Sequence, residues 1–187
     1  MRRLPVLVAV LFAVAGCSSA GTSDAAGTSP AASAKVSAPA SPSSASSSTG
    51  RAQALGEYDA RRDAQADIEA ALALAKQDGR NVLIDFGADW CLDCRVLTKL
   101  SRTGTVAGLL RDGYHVVSVD VGEFDRNLDV AEAYQVDLQR SGIPALVVLD
   151  PRGTVKVATN DGSFATARSM DAGDVAAFLR RWYPAAR

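Results

Sequence analysis

The chain predicts an α/β fold: a sheet of parallel strands joined by helical crossovers and covered by helices on both faces. Two observations carry this. The runs 82–86, 114–121 and 145–149 are almost wholly apolar, as strands buried on both faces should be, and helix-length segments separate them. The turn Asp150-Pro151-Arg152-Gly153 then joins the third run to a further strand-like run, as a hairpin connection would.

In chain order, a helix is expected from Glu57 to Gln77, with Ile68, Leu72 and Ala75 on one face and Gly79 past its end. Strand 82–86 follows. A turn and helix fill 87–101, and a short helical piece spans Val106–Arg111. Strand 114–121 holds Tyr114, Val116, Val117, Val119 and Val121. A helix spans Leu128–Gln135, with Asn127 or Asp125 as the capping candidate. Strands 145–149 and 154–158 flank the hairpin turn. A last helix runs from Gly173 to Trp182, with Asp171 or Ala172 near its cap. His115, at a strand start, reads as structural. The run from Asp125 to Asp129 mimics the start of a calcium loop, but Val130 and Val136 stand where glycine and glutamate are needed, which rules calcium out.

Three segments are expected. Arg2 and Arg3 precede an apolar run from Leu4 to Ala15, which is shorter than the roughly 20 residues that span a bilayer and suits a signal peptide over residues 1–16. The run ends in Val14-Ala15-Gly16-Cys17, which resembles the bacterial lipobox, so Cys17 is the expected lipidation site and first mature residue. Residues 17–50 form a tether. From 18 on it is almost entirely Ser, Ala, Thr, Gly and Pro, a composition that buries no core. Its coil span is on the order of 30 Å and its extended reach about 100 Å. Residues 51–187 form one domain. Setting aside Arg2, Arg3, Lys35 and Asp24 leaves it 17 basic and 20 acidic residues, a net of −3, with no basic footprint for nucleic acid.

Chemistry concentrates at Trp90-Cys91-Leu92-Asp93-Cys94, between the first strand and its helix. Two residues between cysteines in a first helical turn allow one disulfide to form and break. The first sulfur lies near the unpaired N–H groups of the helix start, which favour the attacking thiolate. Cys91 is therefore the expected nucleophile and Cys94 the buried resolving thiol. If Cys17 is lipidated, this pair uses all the remaining cysteines. A metal would need two further ligands, and the domain offers one histidine and no other cysteine, so no metal is expected.

Ile84-Asp85-Phe86, Ala88-Asp89-Trp90-Cys91, Cys94 and Gly142-Ile143-Pro144 together resemble the thioredoxin-like family, over roughly Asn81 to Trp182. The Ala-Asp-Trp-Cys run is also similar to the extracytoplasmic thioredoxin-like domains of bacterial membrane disulfide reductases. The resemblance implies a thioredoxin-like fold with a central mixed β-sheet flanked by helices on both faces. It implies that Asp85 is buried behind the cysteines and assists proton transfer to Cys94, and that Pro144 is cis, turning the Ile143 main chain towards Cys91 to pair with an extended client. Trp90 is expected to shield the disulfide and contact clients, and a plain packing role fits the sequence equally. Leu92-Asp93 and Gly87 depart from thioredoxin itself, which has Gly-Pro and an aromatic residue there. Asp93 and Asp89 are expected to tune the redox poise, their negative charge opposing the Cys91 thiolate.

The expected activity is that of a membrane-tethered, extracytoplasmic thiol–disulfide oxidoreductase reducing client disulfides, with no cofactor beyond the Cys91–Cys94 disulfide. Its partners are disulfide-bearing client proteins, a membrane thiol carrier as electron donor and the membrane itself through the anchor, and it is expected to be a monomer. Two alternatives use the same residues: a copper or other soft-metal chaperone binding through both thiolates, and a redox-inactive thioredoxin-like interaction domain.

Overall fold

The computed structural model describes residues 54–185. In it the chain runs α1 (Ala64–Asp78), β1 (Asn81–Gly87), α2 (Leu92–Ser101), α3 (Gly104–Gly113), β2 (Tyr114–Asp120), α4 (Leu128–Ala133), α5 (Leu138–Ser141), β3 (Ala145–Leu149), β4 (Val155–Ala158) and α6 (Ala172–Arg181), with a single 3₁₀ turn at Ala167–Ser169. The signal peptide, Cys17, the tether and the boundary at residue 51 lie outside the described residues. Among those described, no helix is long and apolar enough to cross a membrane.

The sheet order is β2-β1-β3-β4. β1 pairs parallel with β2 and antiparallel with β3, and β3 pairs antiparallel with β4, which makes the sheet mixed. Every residue of β1 and β3 is buried, because helices cover both faces of these central strands. β4 is an edge strand, partly exposed, with Lys156 pointing to solvent.

Strand alternation sorts the core into two layers. Val82, Ile84 and Phe86 pack with Val117, Val147 and Leu149 against Ile68, Ala71 and Ala75 of α1. Leu83 packs with Val116, Leu146 and Val148 against Leu97 of α2, Leu110 of α3 and Leu179 of α6. Asp85 shares the parity of Leu83, so it points to the α2 side, opposite in register to Ser118 on β2 and Leu146 on β3.

Several boundaries differ from the sequence reading, each for a local reason. α1 starts at Ala64, not Glu57, because the Asp63 side chain accepts from Ala66 N and caps it there. Residues 54–58 are instead drawn towards Asp85. α1 ends as expected at Gly79, which takes a left-handed conformation (φ 81°). α4 stops at Ala133, with Gln135 at φ 64°. Asn127 stands at its N-cap position as expected, but its side chain donates to the Asp120 carbonyl instead of capping the helix, and Asp125 accepts from Glu123 N. α5, absent from the sequence reading, is four residues long and is capped by Asp137, whose side chain accepts from Gln139 N and Arg140 N. α6 begins one residue early, at Ala172, with a capping box between Asp171 and Asp174. β4 begins at Val155 rather than 154, because Thr154 N is taken by Asp150 in the hairpin turn. His115 is buried at the start of β2, with Nε2 3.0 Å from Asp78 Oδ2, a structural placement.

Candidate active site

β1 ends at Gly87, and the chain turns through Ala88, Asp89 and Trp90 to bring Cys91 to the N-cap of α2. Cys91 and Cys94 are joined as a disulfide, with Cα atoms 5.2 Å apart. Cys94 N donates to Cys91 Sγ at 3.1 Å, so a helix-start amide that would otherwise lack an acceptor points at the first sulfur. Cys94 is fully buried, and Cys91 retains 5% exposure. Cys91 is therefore the less enclosed of the two.

The Ile143–Pro144 bond is cis, and the Ile143 carbonyl oxygen lies 3.6 Å from Cys91 Sγ. The turn before β3 thus faces the disulfide, although Ile143 is about fifty residues further along the chain. Trp90 is half exposed; its Nε1 donates to Gly122 O at 2.9 Å, and its ring packs 6.1 Å from that of Phe124. Leu92, between the cysteines, is also exposed. Together they present apolar surface beside the reactive pair.

Asp93 does not stand as a free negative charge at the helix start. It is nearly buried, and its Oδ1 accepts from Arg168 N at 2.8 Å and Arg168 Nε at 3.2 Å. The guanidinium offsets the charge that the sequence reading set against the thiolate, so Asp93 ties α2 to the 3₁₀ turn. Asp89 is exposed at a polar cleft shared with Glu57, Tyr58, Asp59 and Arg62.

Asp85 is fully buried. Its Oδ2 accepts from Tyr58 Oη (2.8 Å), Gly56 N (3.1 Å) and Ser118 Oγ (3.5 Å). Its Oδ1 has no hydrogen bond among the described residues. Burial drives the carboxyl up to about 7, and the bonds from Tyr58, Gly56 and Ser118 only partly counter it. All three donors are neutral, so no cation among them cancels the carboxylate. Gly56 N also donates to Ser118 Oγ, and a Cβ on Gly56 would overlap the Thr98 side chain, whose Oγ1 donates to Cys94 O at 2.8 Å.

Gly56, Tyr58, Ser118 and Arg168 were missed in the sequence reading. Ser118 left a signal, a lone hydroxyl in an otherwise apolar strand. Gly87 left another: a Cβ there would overlap the Tyr58 hydroxyl and ring, so the missing aromatic residue makes room for Tyr58. Arg168, 75 residues from Asp93, left none. Among the described residues no group of three or more His, Cys, Asp or Glu side chains is arranged to hold a metal ion.

An α/β fold with a Cys-x-x-Cys disulfide at a helix N-terminus has the parts that thiol–disulfide exchange needs. The profile of the thioredoxin-like family matches residues 63–151. A solved disulphide isomerase from Xylella fastidiosa Temecula1 is 39% identical, with a TM-score of 0.64, covering 67% of this chain and 95% of that one. Thiol:disulfide interchange protein DsbD 2 of Pseudomonas aeruginosa is 30% identical over 120 residues, which are 63% of this chain but only 18% of that protein. An H-type thioredoxin of Fagopyrum esculentum is 37% identical over 75 residues, 40% of this chain and 56% of the relative. The chain belongs to the thioredoxin-like family.

Proposed function

We propose that this protein is a membrane-tethered, extracytoplasmic enzyme that reduces disulfides in client proteins. The observation that carries the chemistry is the unequal placement of the two sulfurs, Cys91 at the helix N-terminus with an amide directed at it and Cys94 wholly buried. In the reduced enzyme the Cys91 thiolate attacks one client sulfur. The client S–S bond breaks, a Cys91–client bond forms, and the released client sulfur takes up a proton. Cys94 passes its proton to the Asp85 carboxylate and attacks the Cys91 sulfur. The Cys91–Cys94 bond forms, and the second client sulfur leaves. Two electrons have moved from the enzyme pair to the client disulfide, and a membrane thiol carrier returns them.

Client binding is assigned to Trp90, Ile143 and Pro144. Trp90 and Leu92 give apolar contact, and the Ile143 main chain pairs with an extended client segment. The reductive direction is supported by Asp85 rather than Asp93. A buried carboxylate held only by neutral donors disfavours nearby thiolates, which destabilises the reduced pair and makes it a better electron donor. The location rests on the lipobox-like run ending in Cys17.

The test is trapping. Cys94→Ser should accumulate mixed disulfides with clients on Cys91, because the resolving thiol is gone. Cys91→Ser should accumulate few or none. Equal trapping by the two variants on non-reducing gels would overturn the assignment of the sulfurs.

A further inference from the structure

We propose that Tyr58 is a positioning residue for the proton step: with Gly56 and Ser118 it occupies Oδ2 of Asp85, so that Oδ1 is the oxygen that receives and returns the Cys94 proton. This rests on the oxidoreductase reading above and adds a residue to it. Residues 54–58 precede the region that the family profile matches, and they form a strap over the carboxyl. Leu55 is buried in the α2-side layer and anchors the strap. Gly56 adopts φ +86° to turn its N–H onto Asp85 Oδ2, a conformation that L side chains rarely adopt. Tyr58 then reaches the same oxygen through the space left by Gly87.

The two oxygens of the carboxyl are therefore unequal. A carboxylate oxygen offers about two lone-pair sites, and Oδ2 already accepts from Tyr58 Oη and Gly56 N, with the one proton of the Ser118 hydroxyl divided between Oδ2 and the Ala54 carbonyl. A proton placed on Oδ2 would displace one of these donors. Oδ1 is the oxygen with no hydrogen bond among the described residues, so it takes the proton at no such cost. Tyr58 keeps its own proton throughout, since burial, then the charge of Asp85 and the bond to it, push its hydroxyl well above the usual range. In the resolving step the Cys94 S–H proton moves to Oδ1, the Cys94 sulfur bonds to Cys91, and the client sulfur leaves with the electron pair of the broken bond. The groups facing this unit are Tyr58 with Glu57 on the strap, Asp59 just after it, Arg62 before α1, Asp89 on the active-site turn and Ser118 on β2.

The experiment uses Tyr58→Phe in the full chain, which keeps the ring and removes the hydroxyl. The first readout is the pH at which Asp85 titrates, followed through the pH dependence of unfolding of the oxidised protein, and it needs no activity. It should move up by about one pH unit, because a bond favouring the charged carboxylate is lost. The second is the inflection in the pH profile of single-turnover mixed-disulfide resolution, which should move in the same direction. Gly87→Ala, which crowds the Tyr58 ring out, should reproduce both shifts if the first variant folds poorly. In an Asp85→Asn background, Tyr58→Phe should shift neither. An active enzyme whose inflections ignore Tyr58→Phe and Gly87→Ala, or shift equally without Asp85, overturns the proposal alone. A wild-type chain that exchanges no disulfide at any pH overturns the oxidoreductase reading, and the proton step falls with it.

Discussion

A carboxyl in the middle of a central strand costs stability whatever its use. Asp85 is fully buried, its donors are neutral, and its carboxyl is pushed up to about 7. The consequence for stability has a definite sign. Below about pH 4, the ordinary aspartate range, both folded and unfolded chains hold the proton and the group contributes nothing to the pH dependence. As pH rises towards 7 the unfolded chain releases the proton while the folded chain keeps it, so the folded state binds more protons and loses relative stability. Above about 7 the penalty is complete. Asp85→Asn should therefore match the wild type near pH 4 and become progressively more stable than it up to pH 8, by a few kcal/mol, on the order of the full shift. Urea unfolding of both oxidised proteins at several pH values measures this, and a difference independent of pH would contradict it. The residue was legible in the sequence because Asp is unfavourable mid-strand. Its holders Gly56 and Tyr58 were not, since a helix-like pattern covers the segment they begin.

At the scale of elements, the active-site helix is tied to a distant turn. Asp93 on α2 accepts from both the main chain and the side chain of Arg168, so the acid between the cysteines and its cation form one unit. Removing either member changes the local charge by one in opposite senses. Arg168→Ala leaves Asp93 uncompensated, weakens the Cys91 thiolate and should make the potential more negative. Asp93→Asn leaves the guanidinium and should make it less negative. Because Arg168 is largely exposed, solvent screening keeps each shift below about 30 mV, or about 1.4 kcal/mol for this two-electron couple. The double variant should return close to the wild-type value. Equilibration of the four proteins with glutathione reads all of this, and shifts of the same sign in the two single variants would exclude the pairing. The sequence sets Asp93 only against the Cys91 thiolate and the helix N-terminus, because nothing local announces a cation 75 residues away.

At the scale of the whole molecule, the domain carries the chemistry, and the first fifty residues are expected to set where it acts. With Val14-Ala15-Gly16 before Cys17, the mature chain should begin at Cys17 and carry a diacylglyceryl group. Two acyl chains hold a protein stably at a membrane where one is marginal. Cys17→Ala should release the protein or leave it unprocessed, as fractionation and mass measurement would reveal. Recovery of that variant in the membrane fraction at mature length would eliminate the anchor. The net charge of −3 on residues 51–187 gives the domain no overall attraction to an anionic bilayer.

The α/β order, the three buried strands, the hairpin, the cysteine pair at a strand-to-helix turn and a candidate for each reactive role are all legible in the chain. These follow from signals local in the chain: apolar runs, turn residues and short motifs. Only tertiary structure decided which groups surround those residues. The N-terminal strap lies on the Asp85 carboxyl because Gly56 and Gly87 leave space that another part of the chain fills. Arg168 meets Asp93 because packing brings the turn before α6 against α2. The cis Ile143–Pro144 turn meets Cys91 because β3 pairs beside β1. Each of these contacts joins segments far apart in sequence. Their specificity resides in shape and in hydrogen-bond partners, which no periodicity of the chain encodes.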